Sequence, residues 1–549
     1  MRWIGLSIPA LLLVISLSFS RCGGDSNLVD TVALAPAVNE LKVAEEYYNK
    51  KVQLKTRVFY GAHEFKWMWL NKRKPEKIFE ALVDEIKESP RYGFSPEDYH
   101  ISELEQGVQA LYDNRNRTNE NISALDIRIT ASFFLFTTHL IEGRVRYPGA
   151  KEFLWKKGMP LENDIALLIK MESASGLRKA LEDLHPKDPL YVDLQKVLRQ
   201  YRELSKADTL PVIYSKLKLT PGESHEQIPL IRNKLRITTD YYGNTKDTLR
   251  VYDEPLVEAV KQFQVRHGLS PDGIISSKTI SVLNIPLKEK TERIALNLER
   301  LRWLPHIQGK KDEIVINVPE YMLRVYQNQH EKMKMRVILG AEYTPTPVFH
   351  DTLKHIVFSP TWMIPKSIFE KEFLPKLRDN PGYFPPERFR FFKDEKEIDP
   401  YMEPWSDDDL NLTRYRVVEN PGDENSLGKV KFIMPNDFSI YLHDTPAGQL
   451  FEKQERALSH GCVRVERPAD LAQYLLSDQP GWNKKKIEDA MNAEEPVKVD
   501  IAKPYPVYIV YRTVWVDDKD LVNFREDIYG HDKRQLTYLK RQPLAQMNH

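Results

Sequence analysis

The stretch "IYLHDTPAGQLFEKQERALSHGCVRVERPADLA", residues 440–472, decides how the C-terminal half of the chain folds. Residues 429–446 ("KVKFIMPNDFSIYLHDTP") read as a hairpin: one strand, a "PND" turn, then a second strand that ends at His443. The loop 444–458 then separates His443 from Ser459, and a loop of that length folds back to set two strand ends side by side. At the far end stand His460, Gly461, Cys462 and Arg464, and Cys462 is one of only two cysteines in 549 residues.

Cysteine chemistry requires a thiolate, a neighbouring base, and amides aimed at the charge that develops on a carbonyl oxygen. Gly461 permits a tight turn without a side chain in the way, so the amides around His460, Gly461 and Cys462 can converge on an oxyanion. The base belongs on a separate element, and His443 fits that place. A free cysteine alone is more often a small buried hydrophobe. A Ser-His-Gly-Cys turn after a strand-terminal histidine points instead to a nucleophile.

Working outward, the texture from about 312 onward is that of strands. In "EIVINVPEYMLRVYQN" Ile314, Ile316 and Val318 alternate, and so do Leu323 and Val325 after a turn. Residues 334–341, 354–365 and 505–524 continue the pattern. Between 367 and 416 lies an insertion rich in Pro, Phe and Arg ("PGYFPPERFRFF") that does not read as sheet; long insertions of this kind serve as lids or binding loops.

Residues 41–205 have helical periodicity. Ile78, Leu82, Val83 and Ile86 share one face of 74–89, 126–145 has the length and apolarity of a core helix, and 189–207 is amphipathic. Ser95 and Pro96 read as a cap and first helical residue. This region carries no catalytic cluster and reads as a scaffold. Residues 215–290 form a compact unit in which "IPLIRNKLRI" starts a helix and Leu256, Val260 and Phe263 line a second. Gly268 ends that helix, and Ser277 is expected to cap a third bearing Ile280 and Leu283.

The N-terminus, "MRWIGLSIPALLLVISLSFSRCGG", has a basic start, an apolar run and a cysteine at Cys22, the layout of an export signal. It resembles a bacterial lipoprotein signal, with Cys22 as the lipidated residue, although Arg21 stands where such signals carry a small residue. Residues 1–22 are thus read as signal and 23–40 as a tether, which leaves Cys462 without a disulfide partner. Net charge is +1, so nothing in the balance calls for nucleic acid. No Cys-pair or HExxH spacing implies a metal, and no phosphate-cradling loop implies a nucleotide.

The segment His443, fifteen residues, then "SHGCVR" resembles the signature of the L,D-transpeptidase catalytic domain. "RVILGAEYTPTPVF" (336–349), "FSPTWMIPKSI" (358–368) and "ENPGDENSLGKVKFIMPN" (419–436) fit its larger members. The "AVKQFQVRHGLSPDG" pattern is similar to the three-helix peptidoglycan-binding module. The resemblance implies a multidomain chain: helical scaffold (41–205), peptidoglycan-binding-like module (215–290), and a mainly β catalytic domain of sandwich type (310–535) with its cap at 367–416.

The same resemblance implies an acyltransferase that needs no cofactor. A stem tetrapeptide becomes a thioester on Cys462, D-Ala leaves, and the amine of a second stem resolves the thioester into a 3→3 cross-link. Cys462 is the implied nucleophile and His443 its base, with the backbone at Gly461 and Cys462, beside His460, holding the oxyanion. Arg464 is implied to receive a substrate carboxylate unless it pairs with Glu466. Asp444 would orient His443 through its side chain or carbonyl, while Trp362, Tyr441 and Ser459 would line the donor groove. Carbapenem-type inhibitors would acylate Cys462. Its rivals are an L,D-carboxypeptidase resolved by water, attachment of a protein to the wall, and a non-catalytic wall tether. The expected location is the periplasm, lipid-anchored to a bacterial membrane, by preference the outer one.

Overall fold

The computed structural model describes residues 50–71, 75–144, 165, 168, 173–243, 248–303, 312–407 and 409–541. The expected signal, lipidation at Cys22 and the tether lie outside the described residues. The N-terminal unit is helical, as its periodicity predicts. Its central helix, Asn119–Glu142, starts where the Thr118 hydroxyl accepts from the Asn121 amide, and buries almost its whole length. Around it pack helices Lys50–Ala62, Lys77–Lys87, Ile101–Ala110 and Ala174–Leu184. Ser95 caps as expected, in a reciprocal pair with Asp98 at the third helical position.

In the second unit, helices Ile228–Ile237, Glu254–Arg266 and Ser277–Leu283 enclose Ile231, Leu235, Leu256, Val260, Phe263 and Ile280. Gly268 follows the middle helix at φ 68°, the left-handed conformation that stops it. The cap of the third helix is Ser276, whose hydroxyl accepts from the Thr279 amide at 3.3 Å, rather than Ser277. Two adjacent serines both suit a cap, and only the extended backbone of Ser276 exposes its oxygen to the first turn. A long helix, Leu287–Trp303, then packs on Pro189–Lys206 and on Val514, Val522 and Phe524. It joins the scaffold to the C-terminal segment.

The last unit is built on β1 (Asp312–Asn317), β2 (Met322–Gln327), β3 (His330–Gly340) and β4 (Phe349–Phe358). The cap strands β5 (Trp362–Met363), β6 (Phe389–Lys393), β7 (Lys396–Ile398) and β8 (Tyr415–Glu419) follow. The main sheet resumes with β9 (Val430–Ile433), β10 (Leu442–His443), β11 (Ala457–Ser459), β12 (Val463–Val465) and β13 (Val497–Val510). Its order is β11-β3-β12-β10-β9-β4-β13-β1-β2, and β2 also pairs with β3. The sheet therefore folds over on itself around one apolar core that includes Ile316, Val337, Phe432, Leu442, Val463 and Ile509.

The insertion differs from its expectation. It contains a second sheet, ordered β5-β8-β6-β7, over a core of Phe369, Phe373, Phe384, Phe389, Phe391 and Trp405. Phe373 and Phe384 stack at 4.2 Å. Its strands are only two to five residues long, and β5 pairs with β8 more than fifty positions away. Such short runs leave no local alternation to read.

Candidate active site

Strand pairing places the candidate residues. β10 and β12 run parallel with Leu442 opposite Val463 and His443 opposite Arg464. Alternate side chains point to opposite faces, and Leu442, Val463 and Val465 fill the core. Tyr441, His443, Cys462 and Arg464 therefore share the other face. On β9, which pairs with β10 antiparallel, Lys431 stands opposite His443. Its ammonium lies 3.7 Å from the centre of the Tyr441 ring.

Each group is perturbed by this surface. His443 is buried, and among the described residues its Nδ1 has no hydrogen-bond partner. Burial, then the Arg464 charge, pushes its basicity down to about 3. Burial pushes the Cys462 thiol up; Tyr441, Lys431 and Arg464 pull it part of the way back. Its sulfur faces the Ser439 carbonyl at 3.8 Å. The resting pair is thus a neutral imidazole and a neutral thiol on one face, with no hydrogen bond between them.

This has a measurable consequence. The thiol value is raised above 9.0, so the reactive thiolate grows about tenfold per pH unit through neutrality and is still growing beyond pH 9. Alkylation of the folded protein by iodoacetamide is expected to follow that slope. A rate that levels off below pH 7 would reveal a preformed thiolate–imidazolium pair instead.

Arg464 and Lys431 are the cations of this face. Neither has a carboxylate partner among the described residues, and burial lowers both. Glu466, the alternative partner for Arg464, is taken by Arg336 at 2.6 Å. Arg464 is left free to receive an anion. Trp362 lies beside the Tyr441 hydroxyl, toward which it offers its indole N–H. Asp444 turns its carboxylate to the amides of Lys429 and Thr445, at 2.8 and 2.7 Å, so its influence on His443 comes from the main chain.

The turn itself departs from the expected pattern. The Gly461 amide donates to Ser459 Oγ at 3.1 Å, and that hydroxyl donates to the Cys462 carbonyl at 2.6 Å. Ser459 therefore braces the turn from a buried position and does not face a groove. Gly461 has φ 119°, which excludes most side-chain-bearing residues. With the Gly461 amide committed, those of His460 and Cys462 have no acceptor among the described residues. The His460 side chain points outward, its Nε2 2.5 Å from Oε1 of Glu372 in the cap. Sequence reading missed Lys431, Glu372 and the threonines at 344 and 346 that hold the turn. Only the alternation "KVKFI" held a local signal, for Lys431.

Among the described residues, no cluster of His, Cys, Asp and Glu is placed to hold a metal. A cavity of about 1070 Å³ lies elsewhere, between the middle unit, helix Leu287–Trp303 and the C-terminal segment; Cys462 and His443 do not line it.

Three family models match the chain: "L,D-transpeptidase catalytic domain" at 311–508, "Scaffold domain" at 55–198 and "Putative peptidoglycan binding domain" at 224–283. A curated relative, the "Putative L,D-transpeptidase" of Haemophilus influenzae, is 34% identical over 245 residues, 44% of this chain and 49% of the relative. The match thus spans about half the relative's length. Two solved structures are similar at 13% identity. The L,D-transpeptidase from Mycobacterium smegmatis gives a TM-score of 0.19, with 37% of this chain and 59% of that one covered. The L,D-transpeptidase from Stackebrandtia nassauensis gives 0.21, with 53% and 94% covered. At these scores neither likeness adds to what the site's own geometry says.

Proposed function

The chain carries an L,D-transpeptidase catalytic domain behind a peptidoglycan-binding module, and from that premise we propose that it joins peptidoglycan stems by a cysteine thioester, forming 3→3 cross-links. One observation carries the reading: Tyr441, His443, Cys462 and Arg464 share a face of β10 and β12 whose other face is core. A nucleophile, a neutral base and an unpaired guanidinium stand together there, as acyl transfer from a carboxylate-bearing peptide requires.

In the proposed reaction the Cys462 sulfur attacks the carbonyl of the third stem residue while His443 takes the thiol proton. The oxyanion is held by the amides of His460 and Cys462. Collapse breaks the bond to D-Ala, whose departing amine receives the proton from His443, and leaves a thioester. The acceptor amine then displaces the sulfur, and the thiol regains its proton.

Both reacting groups rest neutral, so the thiolate forms only as the substrate is attacked. The donor's own carboxylate, seated on Arg464, offsets the guanidinium charge that adds to burial in depressing His443. Donor binding thereby raises the basicity of its base. The Glu372–His460 contact brings the cap over the turn, which favours an amine acceptor over water. Export and lipidation at Cys22, with a periplasmic location, belong to the same reading.

Incubating the protein with purified disaccharide-tetrapeptides is expected to yield, by mass spectrometry, dimers and one D-Ala per cross-link. Tripeptide alone would mean a hydrolase. Unchanged substrate would leave only a wall tether.

A further inference from the structure

The peptide units that carry the two unpartnered amides are each gripped by a threonine. Thr346 Oγ1 donates to the Gly461 carbonyl at 2.8 Å and accepts from the Gly340 amide at 2.9 Å. Thr344 Oγ1 donates to the Ser459 carbonyl at 3.0 Å, which also accepts from the Ala341 amide at 2.9 Å. In a planar trans peptide the C=O and the following N–H point in opposite directions. Drawing the Gly461 carbonyl toward the 340–346 segment therefore turns the Cys462 N–H away from it. Drawing the Ser459 carbonyl the same way does the same for the His460 N–H. Both threonines lie on one short segment between β3 and β4, so both amides are turned toward the same side.

The middle amide is withdrawn by its bond to Ser459 Oγ. Thr346 is itself fixed: it is 1% exposed, its amide donates to the Tyr529 hydroxyl, and that hydroxyl donates to the Gly340 carbonyl at 2.6 Å.

We propose that Thr346 and Thr344 are positioning residues for an oxyanion site made of the Cys462 and His460 amides. The assignment rests on the thioester reading above. What each position needs is a hydroxyl. Valine has nearly the same shape, but it leaves the Gly461 carbonyl and the Gly340 amide unpaired and the peptide plane free to turn.

Two reagents on the same sulfur test this. A carbapenem acylates Cys462 through a tetrahedral oxyanion. Iodoacetamide forms an S–C bond by displacing iodide, with the thiol proton going to solvent and no oxyanion anywhere. In Thr346→Val the acylation rate is expected to fall about 100-fold, the scale of one lost oxyanion donor, with alkylation unchanged. Thr346→Ser should restore acylation. Thr344→Val should show the same selective loss to a smaller extent, because the Ala341 amide still holds the Ser459 carbonyl; it carries the comparison if Thr346→Val does not fold. Equal losses with both reagents, or undiminished acylation in both valine variants, would overturn the assignment. A wild-type protein that alkylates but never acylates would overturn the thioester reading itself, and this assignment with it.

Discussion

Cys462→Ala is expected to form no covalent adduct with a tetrapeptide stem or a carbapenem, and to lose cross-linking by about 10⁵-fold or more. The sulfur is the group that becomes the thioester, and alanine offers no substitute. The same substitution should leave the fold in place. The cysteine side chain makes only weak sulfur contacts, to the Ser439 carbonyl at 3.8 Å and to Tyr441, while the turn is held by Thr344, Thr346 and Ser459. A shift of about 1 kcal/mol or less in unfolding free energy is expected. Retained cross-linking in a folded Cys462→Ala protein would remove the nucleophile from the account.

The second large effect is on His443. His443→Gln is expected to lower the acylation rate by about 10²- to 10⁴-fold, the usual contribution of a positioned base. Alkylation of Cys462 by iodoacetamide should not change. His443 is held to about 3 by burial and the Arg464 charge, so at neutral pH it is an uncharged ring that does nothing for the resting thiol. Its value appears only when a proton must move. If the two rates fall together, the imidazole is charged at rest and the pair is preformed rather than neutral.

The site was legible where its geometry is encoded locally. A strand ending at His443, a loop of fixed length and a glycine beside Cys462 are all contiguous features, and strand alternation alone places Tyr441 with His443. The helices were legible for the same reason: Ile78, Leu82 and Ile86 repeat at helical spacing and are buried. What escaped was whatever depends on pairing across long separations. Thr346 touches Gly461 from 115 positions away, and a threonine in a proline-rich loop has no local signature. Lys431 joins the site only through its register with His443. The cap's strands are too short to show a period, so its sheet was invisible even though its phenylalanines were conspicuous. Ser459 was read as lining the donor groove; its hydroxyl is instead spent on the turn.

A mass measurement on Cys462 itself decides whether the thioester forms there. The protein is mixed with a tetrapeptide stem, quenched in acid within seconds, digested and mapped. The peptide containing Cys462 should gain the mass of the donor less D-Ala, and that gain should vanish in Cys462→Ala. Cross-linked product accumulating while that peptide stays unmodified, or persisting in the alanine variant, would contradict a thioester at position 462.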